Sequence, residues 1–334
     1  MRIGTLEFFS WPRRRSTLAT VYQRAVERAQ IMEEAGYDAV WLAEHHFTGY
    51  SVCPSVHMMG LHIANQTRRL RIGMGVSLAS FYHPLRLAEE VALLDVLSGG
   101  RVNWGAGRGF DPTEFAAFGV PIEESGRRFH EAVEIVLAAW RNERLNWEGE
   151  FWKFRDIEVL PKPLQEPHPP VWLAAGSDGA VRWAGKHGHS MMLGPHATFG
   201  ECAGHLNLYA DQLRAHGHSL VGRQTPVARF ISVAATDEEA EESARSGVQW
   251  VASAYMNASK ATRPELPDQA VLTMERDAKL DRYLSSVVIH GCVDRVVDRI
   301  RQLREETGME YLLSAPLSHS SFLTFTDQVL PRIC

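Results

Sequence analysis

A glycine-flanked arginine at the end of an apolar strand-like run is the first feature of this sequence that could do chemistry. The run from Arg101 to Ala106 leads into Gly107-Arg108-Gly109. Glycines let a backbone approach a ligand closely, and a guanidinium binds phosphate oxygens through several N–H donors. The sequence therefore predicts a phosphate anchor at Gly107 and Arg108, and the plain alternative is a surface arginine in a turn.

Titratable side chains follow a second strand-like run, Asp38 to Ala43, which ends in Glu44-His45-His46. Imidazole exchanges protons near neutral pH, so His45 is the candidate general acid or base, with His46 beside it and Glu44 placed to tune it. Adjacent residues on an extended strand point to opposite faces, and no carboxylate cluster supplies further ligands. These observations disfavour a metal site.

A second candidate for phosphate binding lies where the strand-like run 171–175 ends at Ala175. The chain there turns through Gly176 into a predicted helix that begins near Ser177. The first N–H groups of a helix have no partner within the helix, so helix starts attract anions. Ser177 is equally compatible with an ordinary N-cap.

Two further strand ends are candidates for the wall of a ligand pocket. Gly73-Met74-Gly75 ends the third strand with two glycines, which mark either a close backbone approach or a simple bend. Met191-Met192-Leu193 at the sixth strand is either ordinary core or an apolar wall under a ring.

Strand-like and helix-like segments alternate along the chain, as expected of a parallel sheet with crossover helices. The strand candidates are residues 2–9, 38–43, 70–79, 101–106, 171–175, 189–193, 226–235 and 309–314. The helix candidates are 17–35, 54–66, 84–98, 126–141, 178–187, 198–216, 237–253 and 319–330, with an extra helix at 292–307. Eight such units close a (β/α)8 TIM barrel, so we expect an α/β fold with one domain over residues 1–334.

Two segments depart from a bare barrel. Residues 144–170 carry spaced aromatic side chains and then a proline cluster, which predicts a hairpin and a rigid connector. Residues 254–285 form a long excursion, and long segments at a barrel rim are typical of lids.

Composition narrows the class of protein. The 334 residues carry a formal net charge of -5, which argues against nucleic-acid binding because such proteins need a basic face. The four scattered cysteines form no Cys-x-x-Cys pair, which fits a reduced compartment. No apolar run reaches the ~18 residues of a membrane span, and the first residues are too interrupted for a signal peptide. A soluble, cytoplasmic protein is expected.

Several of these segments together resemble the bacterial luciferase-like flavin-dependent monooxygenase family. The segments that carry the resemblance are Ala43-Glu44-His45-His46-Phe47, His83-Pro84-Leu85-Arg86-Leu87-Ala88-Glu89-Glu90, Leu97-Ser98-Gly99-Gly100-Arg101, Gly105-Ala106-Gly107-Arg108-Gly109 and Pro161-Lys162-Pro163. The resemblance runs from residue 1 to the closing Val329-Leu330-Pro331-Arg332.

The resemblance implies a (β/α)8 barrel that binds FMN, with the phosphate held by Arg108 and the Gly176-Ser177 turn. It places the flavin ring against the Met74-Gly75 peptide, which is often a non-proline cis bond in the family, and makes His45 the catalytic base. One further acidic residue of the luciferases corresponds approximately to Glu114. Light-emitting luciferases carry a reactive cysteine where this chain has Gly107, so bioluminescence is not implied.

The reaction implied by the resemblance is a monooxygenation. A separate NAD(P)H-dependent flavin reductase would supply reduced FMN, which reacts with O2 to a flavin peroxide that oxidises an organic substrate, and the protein would be a homodimer. The first alternative is a deazaflavin-dependent hydride-transfer enzyme on the same barrel. A non-catalytic subunit like the luciferase β chain is disfavoured because His45, Arg108 and Ser177 occur together, and a metal hydrolase is disfavoured by its missing ligands.

Overall fold

The structure, a computed structural model, describes residues 1–260 and 280–334, with the side chains of residues 252–260 left out. The lid-like excursion predicted over 254–285 therefore lies largely outside the described residues. The chain forms two compact units. The N-terminal unit comprises Phe8–Glu33 and Ala39–Trp172, and the C-terminal unit comprises Met1–Glu7, Glu34–Asp38 and Leu173–Cys334.

Strands and helices alternate along the described chain. The strands are β1 (Arg2–Glu7), β2 (Ala39–Leu42), β3 (Arg71–Met74), β4 (Ser77–Leu78), β5 (Val102–Gly107), β6 (Leu145–Glu148), β7 (Lys153–Ile157), β8 (Val171–Ala174), β9 (Ser190–Met192), β10 (Pro226–Val233), β11 (Ile289–Gly291) and β12 (Tyr311–Pro316). The helices are α1 (Leu18–Ala35), α2 (Val56–Gln66), α3 (Pro84–Ser98), α4 (Pro112–Phe118), α5 (Ser125–Arg141), α6 (Asp178–Lys186), α7 (Phe199–Ala215), α8 (Asp237–Lys260), α9 (Val293–Thr307), α10 (His319–Thr324) and α11 (Leu330–Ile333). The predicted α/β class is confirmed.

The sheet of the N-terminal unit is parallel. Strand β3 lies between β2 and β5, with Trp41 opposite Gly73 and Gly73 opposite Asn103. The short strand β4 also pairs with β5, with Leu78 opposite Gly107. The carboxyl ends of these strands therefore meet at one edge of the sheet.

The C-terminal unit has its own run of parallel strands, in the order β1, β12, β10 and β11. Strand β9 lies beside β10 through a bridge between Leu193 and Val227. The end of β8 joins β9, because the Ala175 N–H donates to the carbonyl of Met192 at 3.0 Å.

Helix α3 shows why the sequence pattern located most helices correctly. Its N-cap is His83, and Pro84 occupies the first turn, where the missing N–H costs nothing. Gly99 ends the helix with a left-handed φ of 71°, which glycine adopts without strain. Both ends agree with the prediction.

Several elements differ from the prediction. The strand expected over 70–79 is broken between β3 and β4, where Gly75 weakens the strand. The C-terminal helix expected over 319–330 is interrupted by a π-helical turn, Phe325–Val329. Helix α4 lies in a segment for which no helix was predicted, although Asp111 caps it, Pro112 begins it and Gly119 ends it in the left-handed conformation.

The aromatic segment after α5 forms the predicted hairpin. Strands β6 and β7 are antiparallel, with Trp147 opposite Phe154. In the described residues, no helix combines the length and the apolar character needed to cross a lipid bilayer.

Candidate active site

The carboxyl edge of the N-terminal sheet carries most of the predicted catalytic residues. Glu44, His45 and His46 follow β2, and Arg108 follows β5 at the same edge. The loop after β3 contains Gly75. Within this unit, the predicted proton-transfer residues and Arg108 therefore lie at the same edge of the sheet, as the sequence predicted.

The Glu44 carboxylate is buried and accepts three hydrogen bonds. Its Oε1 accepts from His46 Nε2 at 3.1 Å, and its Oε2 accepts from the Leu78 N–H at 3.3 Å and from the Tyr82 hydroxyl at 3.2 Å. Burial raises the pKa of Tyr82, and the Glu44 charge raises it further. His46 thus has a ring nitrogen within hydrogen-bond distance of the Glu44 carboxylate. That Glu44 tunes His45 stays a prediction.

His45 is buried and faces a different carboxylate. Its Nδ1 lies 3.4 Å from Oε1 of Glu114, and its ring meets Tyr50 and Phe110 edge-on. Two aromatic rings and a carboxylate therefore fix the orientation of the imidazole.

Glu114 is fully buried on α4, the helix that the sequence prediction missed. Its Oε1 also accepts from the backbone N–H of His46 at 2.8 Å. Its Oε2 has no hydrogen-bond partner among the described residues, and a buried carboxylate oxygen without a partner is costly. The Asp-Pro start and Gly119 were the sequence signals that could have located this helix and its acidic residue.

Arg108 presents an exposed guanidinium at the end of β5. Its Nη1 donates to Ser125 Oγ at 3.2 Å, and within the described part of the chain it forms no ion pair. The preceding residue, Gly107, is buried and pairs with Leu78. The remaining N–H donors of Arg108 are available to an anion.

The C-terminal unit carries the other predicted cofactor residues. Gly176 and Ser177 are exposed, and Ser177 caps α6 by accepting from the Ala180 N–H. Ala175 and Leu193 are buried. The charge of Asp178 would oppose a phosphate, and its Oδ1 lies 3.5 Å from Nε2 of His205.

The loop between β3 and β4 has an unusual backbone. The Gly75–Val76 peptide is cis, one residue beyond the Met74–Gly75 bond that the resemblance indicated, so that expectation is corrected. Met74 is fully buried. A side chain at Gly73 would overlap the Trp41 ring, which confirms the close-approach interpretation of this glycine.

Three exposed aromatic side chains surround the histidines. Phe47 is 65% exposed and its ring contacts those of His46 and Phe118. Phe110 is also exposed and contacts His45. Phe47, Phe110 and Phe118 thus form an aromatic rim around the titratable groups. Over the part of the chain described, no group of three His, Cys, Asp or Glu side chains could hold a metal ion.

Comparison with known proteins identifies the family. The model of the luciferase-like monooxygenases matches residues 1–311. The chain belongs to this family. The resemblance stated from sequence motifs is therefore confirmed.

Relatives and solved structures agree with this membership. This chain is 32% identical over 181 residues to the oxygenase component of a flavin-dependent trigonelline monooxygenase from Acinetobacter baylyi. The match covers 54% of this chain and 50% of the relative. It is 26% identical to the crystal structure of the monooxygenase RslO1 from Streptomyces bottropensis, with a TM-score of 0.87 and full coverage of both chains.

An F420-dependent secondary alcohol dehydrogenase shares the fold alone, at 17% identity and a TM-score of 0.78, covering 100% of this chain and 99% of the other. The chain spans about half the length of the first curated relatives that it matches, between 50% and 51%.

Proposed function

We propose that this chain is the oxygenase of a flavin-dependent monooxygenase, which uses reduced FMN and O2 to oxidise an organic molecule. The observation that carries the proposal is the arrangement at one sheet edge of the N-terminal unit. There the buried His45 follows β2 and pairs with the buried Glu114 of α4, while the exposed Arg108 follows β5. Family membership and the flavin dependence named for the Acinetobacter relative support the choice of an oxidoreductase with a flavin.

The residues present fit the phosphate of FMN. Arg108 offers exposed donors without a carboxylate partner in the described residues, and the exposed residues Gly176 and Ser177 lead into α6, where Ser177 is the N-cap. We assign Arg108 to the FMN phosphate. That Gly176 and Ser177 hold the same phosphate stays a prediction. Charge-assisted bonds from Arg108 would contribute most of the difference between FMN and a flavin without phosphate.

The residues assigned to the flavin ring are apolar or lack a side chain. They are Met74, Gly75 and Gly107. Ala175 and Leu193 stay sequence predictions for the same ring. When bound, the reduced flavin supplies the two electrons that activate O2. The protein contributes the shape of the site and the exclusion of water from it.

We assign proton transfer to Nε2 of His45. Its Nδ1 faces the Glu114 carboxylate, which favours a proton on Nδ1 and turns Nε2 away from Glu114. Glu44 holds His46, Tyr82 and the Leu78 N–H together and so keeps the loop after β2 in place. In this scheme His45 is the catalytic residue, and Glu44 and His46 support its position.

The substrate would meet the aromatic rim of Phe47, Phe110 and Phe118. Exposed aromatic side chains beside buried titratable groups favour an organic molecule with an apolar part. A separate flavin reductase would deliver the reduced flavin, as the term oxygenase component in the Acinetobacter relative suggests. A homodimer is part of the same proposal.

The decisive experiment supplies the protein with each reduced cofactor in turn. We expect reduced FMN, mixed with the protein in aerated buffer, to consume O2 with kinetics that differ from those of free reduced FMN. Reoxidation at the protein-free rate, together with anaerobic substrate turnover by a reduced deazaflavin, would replace the monooxygenase with a hydride-transfer enzyme. The F420-dependent enzyme of the same fold makes this the alternative to test.

A further inference from the structure

A buried polar chain lies behind the loop that joins β3 to β4. His57 on α2 is only 5% exposed, and both of its ring nitrogens are engaged. Nε2 lies 3.0 Å from Ser77 Oγ on β4, and Nδ1 lies 3.2 Å from Oε2 of Glu90 on α3.

The outer end of this chain is held by charge. Arg86 Nε donates to Oε1 of Glu90 at 2.8 Å. The hydrogen bond from His57 lowers the pKa of Glu90 to about 2, and Arg86 contributes to the same shift. Glu90 is therefore a carboxylate that accepts the Nδ1 proton of His57, and this fixes the imidazole so that Nε2 points to Ser77.

The inner end of the chain sets the position of β4. Ser77 is fully buried, follows the cis peptide Gly75–Val76 directly, and lies opposite Ala106 on β5. Its neighbour Leu78 lies opposite Gly107 and donates its N–H to Glu44. A shift of Ser77 would move the Gly75–Val76 loop on one side and the register beside Gly107 on the other.

The stability of the fold does not by itself explain this chain of buried polar groups. Apolar side chains of similar volume fill a buried space without the cost of removing polar groups from water. A fully hydrogen-bonded chain instead holds one arrangement of the groups it joins. This chain of hydrogen bonds holds strand β4, which lies between Gly75 and Gly107, the two positions assigned above to the flavin ring.

We propose that His57 is a positioning residue for flavin binding, which acts through the Ser77 hydroxyl on β4. The proposal rests on the proposed function, since it takes the loop after β3 as a flavin contact. His57 itself touches neither flavin nor substrate in this scheme. Its effect is therefore expected in the affinity for the flavin and in the environment of the ring.

The test measures FMN dissociation constants and the visible absorption spectrum of bound FMN for Ser77→Ala, His57→Ala and the double variant. Each single change should raise the dissociation constant about tenfold, the usual effect of losing one hydrogen bond in a buried network. The FMN dissociation constant of the double variant should be no larger than that of the single variant that binds FMN more weakly, because both changes break the same chain of hydrogen bonds. His62→Ala, an exposed histidine on the same helix, should bind FMN as the wild type does.

His57→Gln provides a second route, because a glutamine amide can reach Ser77 in place of Nε2. It should recover part of the affinity lost in His57→Ala and restore the spectrum of bound FMN, which a loss of general stability would not produce. If His57→Ala does not fold, Ser77→Ala and His57→Gln still give the comparison.

The outcomes separate the two proposals. A wild-type protein that binds no flavin contradicts the proposed function and this inference with it. A wild type that binds FMN, with Ser77→Ala and His57→Ala unchanged in affinity and spectrum, overturns only the role of His57. Additive losses in the double variant also overturn it, because His57 would then act independently of Ser77.

Discussion

Oε1 of Glu114 lies 3.4 Å from Nδ1 of His45, and the same oxygen accepts the backbone N–H of His46. One buried carboxylate thus controls both the ring and the backbone at the end of β2. The histidine predicted to be catalytic thus has an acidic partner on a different segment of the chain, Glu114 on α4.

The variant Glu114→Gln tests this partnership. The amide keeps an acceptor for the His46 N–H but removes the charge that faces His45, so we expect turnover to fall by about tenfold to a hundredfold, as for other residues that orient a reacting group. Flavin affinity should change little. Steady-state turnover and an FMN titration measure the two quantities, with the exposed Glu123→Gln as control. Unchanged turnover would remove Glu114 from the mechanism.

The variant His45→Ala tests the proton-transfer role. A positioned acid or base contributes roughly a hundredfold to ten-thousandfold to the rate, so turnover should fall by that factor while binding of reduced FMN stays near that of the wild type. His62→Ala is the matched control. A variant that keeps its turnover at saturating substrate would show that another group moves the proton.

The variant Arg108→Ala tests the phosphate anchor. The lost contact is a charge-assisted bond to a phosphate, so FMN affinity should fall by about tenfold to a hundredfold. Riboflavin lacks the phosphate, and its affinity should change much less. Parallel fluorescence titrations with both flavins measure the difference. Equal losses for the two flavins would contradict the anchor.

The variant Gly73→Ala tests the packing beneath the site. The new methyl group would overlap the Trp41 ring, which is fully buried, and overpacking of this kind costs about 1–3 kcal/mol. Thermal or denaturant unfolding measures the loss. Gly126→Ala, at a position on α5 where the added carbon would have no atom within 4 Å beyond its chain neighbours and its own helix backbone, should be at least as stable as the wild type.

Glu90 should make the stability of the protein depend on pH. Its pKa falls from an ordinary 4.5 to about 2, chiefly through the His57 hydrogen bond, so the native state binds fewer protons than the unfolded state between these values. The free energy contributed by the carboxylate is complete above pH 4.5 and is lost as the pH falls towards 2. The difference in free energy of unfolding between wild type and Glu90→Gln should shrink over that interval. Denaturant titrations at several pH values measure it, with Glu89→Gln as the control for removing a carboxylate from α3. A difference that stays constant with pH would contradict the assignment.

Local sequence signals determined the α/β class and most element boundaries. Helix α3 agrees at both ends because Pro84 and Gly99 act on the backbone of their own segment. The order of strands and helices is likewise written in hydrophobic periodicity, which depends on neighbours in sequence. The five motifs that carry the resemblance, among them the one around Glu44, His45 and His46, together predicted the family for the same reason, since residue types and spacing are local.

Contacts between distant segments were decided only by the tertiary structure. Adjacency alone suggested that Glu44 tunes His45, and only the structure shows that its carboxylate contacts His46, Tyr82 and Leu78. Glu114 lies on α4, and His57 lies on α2 and contacts Glu90 on α3. No local sequence pattern specifies how these helices pack, so it could not predict these contacts. Side-chain direction and the distance between segments follow from how helices pack on the sheet, so the hydrogen-bond partners at this sheet edge could be identified only after the elements were assembled.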